Sequence, residues 1–215
     1  MTVTTVTPWL EHRELAAGYL AALHAGPFPD EAIVVDNGGA PDLPGCRVFD
    51  AAHNLGFAGG SNLGLLDATS EVVVFLNNDI VHARDGWLLE LVAAVEPMVL
   101  AGPVRYDRHA DVDGQPFPYI DGWCLAGTRD DLTELGGFDD SLEEPAYYSD
   151  NLLCLEARAA GMVLRDVRVG LRHLESVTSE PTNNLLVQRA SAANRARYVT
   201  RVRELTAAPA QRVVV

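Results

Sequence analysis

The sequence predicts an α/β fold: a mainly parallel central sheet flanked by helices. Three observations predict it. Residues 32–35 are a short, continuous apolar run, and Glu71 to Leu76 (EVVVFL) is apolar after its first residue, the pattern of strands buried on both faces. Amphipathic stretches with helical spacing lie between and after them. Both runs end abruptly in acid and amide side chains, at Asp36-Asn37 and at Asn77-Asn78-Asp79. Parallel sheets place their ligands at the carboxyl ends of strands.

The elements follow in order. Residues 2–7 (TVTTVT) are β-prone and open the chain. From Leu10 to Leu23 the residues Leu15, Tyr19, Leu20 and Leu23 recur at helical spacing, and Gly26, Pro27 and Pro29 end that helix. Ala32 to Val35 is a buried strand running into the turn Asp36-Asn37-Gly38-Gly39. Val48-Phe49 is a shorter strand, and Asn54 to Leu66 is glycine-rich, then helical. Glu71 to Leu76 is the strongest strand in the chain. Between Arg84 and Val95, Trp87, Leu88, Leu91, Val92 and Val95 share one helical face.

The second half is less regular. Residues 102–121 carry Pro103, Pro116 and Pro118 among polar residues, which predicts a loop or short ribbons. Trp123 to Ala126 reads as a strand, and Asp130 to Leu135 as a short helix stopped by Gly136-Gly137. Asp150 to Ala160 is a helix with Gly161 as its stop. Met162 to Leu171 alternates as strand material, and Leu185 to Leu205 is an Arg-rich amphipathic helix. Strand and helix alternate repeatedly in the first half, which argues for crossover connections.

Composition sets the outer bounds. The chain has 215 residues, 48% of them hydrophobic, enough for one full core. A single domain is expected over residues 1–215, with halves meeting near residue 100 and a final helix over about 184–206. The formal net charge of −14 opposes nucleic acid as a partner. It leaves room for a nucleotide, because a bound divalent cation inverts the field of one pocket. The three cysteines, Cys46, Cys124 and Cys154, form no zinc or disulfide pattern, so a reducing, cytoplasmic setting is expected. The N-terminus has no signal-peptide pattern. No run approaches the roughly 18 apolar residues of a membrane span.

Four constellations can carry chemistry. Asp79 ends the strongest strand; Mg²⁺ or Mn²⁺ on a diphosphate needs only one or two protein carboxylates. Asn77 and Asn78 beside it can bind ribose or phosphate without adding charge. The loop Asn54-Leu-Gly56-Phe-Ala-Gly-Gly-Ser-Asn62-Leu-Gly64 resembles a phosphate-gripping loop, yet matches neither the P-loop nor the dinucleotide fingerprint; its glycines serve close backbone packing equally well. His173 follows strand material and can complete a transition-metal sphere if Asp79 lies nearby. Asp150 opens a helix, either as a charge on the dipole or as a general base.

In this order the pieces resemble the family 2 inverting glycosyltransferases of GT-A fold, especially their bacterial rhamnosyltransferase-like branch, over residues 30–200. Val34-Val35-Asp36-Asn37-Gly38 is similar to the family's strand end that contacts the nucleoside, which implies that role for Asp36 and Asn37. The 54–64 loop is similar to the element beside the donor, implicating Asn54, Gly56 and Asn62. Leu76-Asn77-Asn78-Asp79 is similar to a variant DXD motif, implying metal binding by Asp79. Tyr119-Ile-Asp-Gly122 and Leu135-Gly136-Gly137-Phe138-Asp139 resemble the acceptor-side segment. Ser149-Asp150 stands where the family carries its base, and His173, with Ser176 behind it, resembles a late metal-binding histidine. Asn194-Arg195 is similar to a pair in the final helix. Three departures stand out: Ser149 replaces a glutamate, Leu152 replaces an aspartate, and Thr7-Pro8-Trp9 replaces a Tyr-Asn pair.

The resemblance implies a metal-assisted inverting transferase moving a sugar from a nucleoside-diphosphate sugar to a hydroxyl or amine. Mg²⁺ or Mn²⁺ would sit on Asp79 and His173, with Asp150 as base. Trp123, Tyr147 and Tyr148 are acceptor-side walls or core residues. The expected acceptor is a small molecule or saccharide, with homodimerisation left open. Two rivals remain at this point: a nucleotidyltransferase that makes a nucleotide sugar, and a non-catalytic binder of the same fold.

Overall fold

The computed structural model describes residues 1–82, 84–106, 111–142, 147–174 and 185–207. Its centre is a seven-stranded sheet. Strand β1 is Val3–Leu10, followed by a 3-10 turn at Arg13–Leu15 and helix α1 at Ala16–Leu23. Strands β2 (Glu31–Gly38) and β3 (Arg47–Asp50) come next, then α2 (Gly56–Asp67), β4 (Val72–Leu76), β5 (Ile80–His82), α3 (Trp87–Val92) and β6 (Val99–Gly102). Two small ribbons follow: β7 (Val104–Arg105) pairs with β10 (Tyr119–Ile120), and β8 (Asp111–Val112) pairs with β9 (Gln115–Pro116). The chain continues with β11 (Cys124–Thr128), α4 (Arg129–Glu134), α5 (Ser149–Ala159), β12 (Val163–Asp166), β13 (Leu171–His173) and α6 (Leu185–Ala207).

The strand order is β12-β6-β11-β4-β1-β2-β3. Strand β11 runs antiparallel to both neighbours; the other pairings are parallel. From β1 the chain steps outward to β2 and β3, then returns to the other side of β1 with β4. That reversal makes the carboxyl ends of β1 and β4 the switch point, where a crevice opens. The expected mainly parallel α/β fold with flanking helices is what the structure shows.

The apolar run of β4 is buried on both faces, and its side chains divide between two cores. Val72, Val74 and Leu76 pack with Trp9, Tyr19, Leu23, Trp87 and Leu91, under α1 and α3. Val73 and Phe75 pack with Val6, Leu65, Leu132, Phe138 and Leu153, under α2, α4 and α5. Helix α6 then covers the outer face of α5: Tyr198 and Val202 meet Tyr148, Leu152 and Leu155.

Several boundaries differ from the sequence reading. The first strand runs on to Leu10, so the helix begins at Ala16 rather than Leu10. Trp9 and Leu10 pair with β2, and Glu11 and His12 turn the chain with left-handed φ of 51° and 52°. The Trp9 indole N–H donates to Glu11 O at 2.6 Å and holds that turn. Helix α3 is shorter than the apolar face suggests, because Gly86 at φ 77° starts it late. Residues 162–171 form two strands in different sheets, β12 at one edge and β13 against β5.

Candidate active site

The site is assembled at the carboxyl end of β4. The segment Asn77-Asn78-Asp79 leads directly into β5, and β13 lies antiparallel on β5 with His173 opposite Ile80. The Leu174 N–H donates to Asp79 O at 2.9 Å and closes this ladder. Residues about a hundred positions apart thus meet: His173 Nε2 lies 2.9 Å from Asp79 Oδ1. The antiparallel strand β11 brings Trp123 alongside, with the Asn77 N–H donating to Trp123 O at 3.0 Å. The Trp123 indole stacks on the His173 ring, centroids 5.3 Å apart and planes 11° from parallel. Trp123 therefore braces the imidazole, a contact the sequence reading did not foresee.

The hydrogen bonding at this pair leaves a buried carboxylate oxygen without a partner. His173 Nε2 also lies 3.1 Å from the Asn77 side-chain nitrogen. With that amide donating, Nε2 acts as an acceptor. Asp79 is 1% exposed, and its Oδ1 has no hydrogen-bond partner despite the short approach to His173. A buried carboxylate with an unpartnered oxygen is costly unless a positive charge joins it, whether from the His173 ring or from a bound cation. Neighbouring ligands of an octahedral Mg²⁺, each about 2.1 Å from the ion, stand about 3 Å apart. The pair has that spacing. Among the described residues no group of three or more His, Cys, Asp or Glu could hold a metal. A cation here would draw its remaining ligands from diphosphate oxygens and water.

Asn78 is buried beside Asp79, with its side-chain nitrogen unpartnered. At the end of β2, Asp36 Oδ1 accepts from the backbone N–H groups of Gly38 (2.8 Å) and Ala40 (2.9 Å), forming the turn. Asn37 clamps the start of α2: its Nδ2 donates to Gly56 O at 2.8 Å and its Oδ1 accepts from Leu55 N at 3.2 Å. Asn54 caps the same loop through Gly56 N–H, 2.8 Å away, and Gly56 has φ 69°. Farther along α2, Asn62 reaches the backbone of Phe138 with both ends of its amide. In this loop the glycines serve close packing. A Cβ on Gly64 would stand 2.3 Å from Val6 Cγ1, and one on Gly60 would stand 3.0 Å from both Asn37 Nδ2 and Pro8 Cβ.

On the other side of the cleft, Asp150 lies in the first turn of α5. Its Oδ2 accepts from Gly122 N–H at 3.0 Å and its Oδ1 from Asn151 N–H at 2.9 Å. Burial, and then the charge of Asp121, push its carboxyl up to about 7 against those hydrogen bonds. Asp150 is packed on all sides by protein yet remains partly open to solvent. Asp121 is itself paired with Arg105 Nε at 2.8 Å across the β7–β10 ribbon. The sequence reading gave Asp121 no role; its place one residue before the Gly122 of the acceptor-side segment was the available signal. A Cβ on Gly122 would meet Asp150 Cβ at 3.3 Å and Phe57 Cζ at 3.4 Å, so this glycine lets the segment close on α5.

Tyr148 stands before α5 with a left-handed φ of 85°, and its buried ring lies 5.6 Å from that of Tyr198 in the α5–α6 core. Tyr147 is 43% exposed, and its carbonyl accepts from Asn194 Nδ2 at 3.1 Å. Leu152 packs in the same core as Tyr148 and also lines a hollow of about 150 Å³ with Gly137, Phe138, Asp139, Leu153 and Glu156. Ser176 lies outside the described residues.

A mainly parallel seven-stranded sheet flanked by helices, with acid and amide residues gathered at the carboxyl end of β4, is an α/β architecture of GT-A type. The model of the family described as glycosyl transferase family 2 matches residues 13–121, just over half of the chain, and the chain belongs to that family. The matched span includes Asp36, the 54–64 loop and Asp79, and ends before Asp150 and His173. The rhamnosyltransferase-like branch is not singled out. Solved structures of similar fold include a mannosyltransferase from Pyrobaculum calidifontis in complex with GDP-Man and Mn²⁺, with TM-score 0.62 and 18% identity, covering 77% of this chain and 54% of that one. Glucosyl-3-phosphoglycerate synthase from Mycobacterium tuberculosis, in complex with Mn²⁺, UDP and glucosyl-3-phosphoglycerate, has TM-score 0.61 and 18% identity, covering 98% and 81%. S. aureus TarS 1–349 in complex with UDP has TM-score 0.58 and 15% identity, covering 80% and 60%. At these identities the likeness is one of fold. The chain spans about half the length of the mannosyltransferase. No curated protein matches the sequence significantly.

Proposed function

We propose that this chain is a glycosyltransferase that takes its sugar from a nucleoside-diphosphate donor and inverts the anomeric centre. The observation that carries the reading is the Asp79–His173 pair at the switch point, its carboxylate buried and one carboxylate oxygen unpartnered. Mg²⁺ or Mn²⁺ fits that pair, and when bound it neutralises charge collecting on the leaving diphosphate. Asp36 and Asn78 are the proposed contacts to the nucleoside and phosphates. Asn37, Asn54 and Gly56 shape the wall of that crevice.

Asp150 is the proposed base. Near neutral pH about half of it is ionised, given a carboxyl at about 7, which suits a group that takes a proton from an acceptor hydroxyl or amine. That acceptor then forms its bond to the anomeric carbon as the bond to the diphosphate breaks. The proposed acceptor, a small molecule or saccharide, would enter past Trp123 and Tyr147, with Tyr148 supporting that wall from the core. Among the described residues no helix is long and apolar enough to cross a membrane. We propose one domain with a donor half and an acceptor half, acting in the cytoplasm. Leu152, in place of a family carboxylate, is explained by its burial against α6, so it does not favour the non-catalytic reading.

The test is calorimetric titration with UDP, GDP and dTDP, each with and without Mn²⁺. Mn²⁺-dependent binding of one nucleotide, lost in Asp79→Ala, is the expected result. A folded protein that binds none of them overturns the proposal.

A further inference from the structure

We infer that Asn62 is a positioning residue, tying the donor-side helix α2 to the acceptor-side segment and through it holding the peptide that binds Asp150; the catalytic part of this rests on the function proposed above. Asn62 was expected at the donor. Instead its Nδ2 donates to Phe138 O at 2.8 Å, and its Oδ1 accepts from Phe138 N at 2.8 Å, across 76 positions of sequence. Both polar ends of the amide are used on one residue. The approach is tight: Gly137 has φ 71°, and a Cβ there would stand 2.3 Å from Asn62 Oδ1.

The fixed Phe138 ring lies edge-on to Phe57, centroids 5.0 Å apart, and to Phe75 on β4, 4.9 Å apart. Phe57 in turn faces Gly122 closely enough that a Cβ there would meet its Cζ at 3.4 Å, and the Gly122 N–H donates to Asp150 Oδ2. A packed line therefore runs from Asn62 through Phe138 and Phe57 to Gly122 and Asp150. Close-packed interiors transmit such displacements. Releasing Phe138 lets Phe57 and Gly122 withdraw and weakens the hydrogen bond to the Asp150 carboxylate. That bond favours the charged form, so its loss raises the pH at which Asp150 ionises. Among the described residues, the other titratable groups that act on Asp150 are Asp121, itself paired with Arg105, Cys154 on α5 and Tyr198 on α6. None of these touches Asn62 through the bonds described.

The experiment is a carbon NMR titration of the Asp150 carboxyl in the wild type and in Asn62→Leu, with Mn²⁺-dependent binding of UDP and GDP measured on both. The variant is expected to move the Asp150 midpoint upward from about 7 by at least roughly half a pH unit, with nucleotide affinity changed less than about twofold. An unmoved midpoint in a folded variant overturns the inference. A tenfold loss of nucleotide affinity with Asp150 unmoved overturns it in favour of a donor ligand. If the wild type binds no nucleotide, the proposed function falls while the midpoint comparison still decides the positioning. Should Asn62→Leu fail to fold, Phe57→Leu breaks the next contact in the line and is expected to move Asp150 in the same direction.

Discussion

His173 Nε2 and Asp79 Oδ1 stand 2.9 Å apart, the carboxylate buried and the ring part-buried, while Asn77 Nδ2 lies 3.1 Å from the same nitrogen. The proposed divalent cation would sit on this pair. Asp79→Ala and His173→Ala should each weaken Mn²⁺ binding in the presence of the bound nucleotide by at least about 100-fold. Electron paramagnetic resonance of free Mn²⁺ reads this directly. Unchanged Mn²⁺ affinity in both variants would remove the metal from the site.

The Trp123 ring stacks on His173, and its carbonyl accepts from the Asn77 N–H beside the proposed cation site. Groups that orient a ligating histidine contribute about 10–100-fold to metal affinity. Trp123→Leu should therefore weaken Mn²⁺ binding by about tenfold, less than loss of His173 itself. An equal or larger loss would mean that Trp123 holds the fold of the β11 end rather than the ring.

Turnover should depend on Asp150 in its charged form. Asp150→Asn is expected to lower it by roughly 10²–10⁴-fold. In the wild type the rate should fall as pH drops below about 7, approaching tenfold per unit, because protonation removes the base. A flat profile between pH 5 and 8, with full activity in Asp150→Asn, would assign the proton transfer to another group.

The same carboxyl also links stability to pH. Its folded value, about 7, is raised above the ordinary 3.8. The folded state thus holds a proton that the unfolded chain has released, so the stabilisation present below about pH 4 is lost as pH rises toward 7. Between pH 4 and 8 the wild type should lose on the order of 3–4 kcal/mol relative to Asp150→Asn. Urea unfolding of the two proteins across that range measures the difference; parallel pH dependences would show that Asp150 titrates normally.

Gly64 lets α2 lie against β1. Gly64→Ala places a methyl 2.3 Å from Val6 Cγ1 and should cost about 1–3 kcal/mol in denaturant unfolding. A neutral result would show that helix and strand can separate without penalty, and the packing reading of this glycine would fail.

The sequence by itself determined the sheet and most of its order of appearance. Runs such as Val72–Leu76 are apolar on both faces, so they are buried strands wherever they fall. Gly161, ending α5 with a left-handed φ of 87°, is a local signal, readable without a fold. The motif residues Asp79, Asp150 and His173 were also legible, because each sits beside a strand or helix end. Their partnerships were not. Asp79 meets His173 only because β5 and β13, three residues each, pair across the surface, and strands that short leave no periodicity. Asn37 and Asn62 were read as donor residues, and the folded chain uses their amides on the backbone at Gly56 and Phe138. An amide side chain carries donor and acceptor alike, so its sequence position cannot tell ligand from clamp; only the groups that tertiary packing brings within hydrogen-bond reach decide.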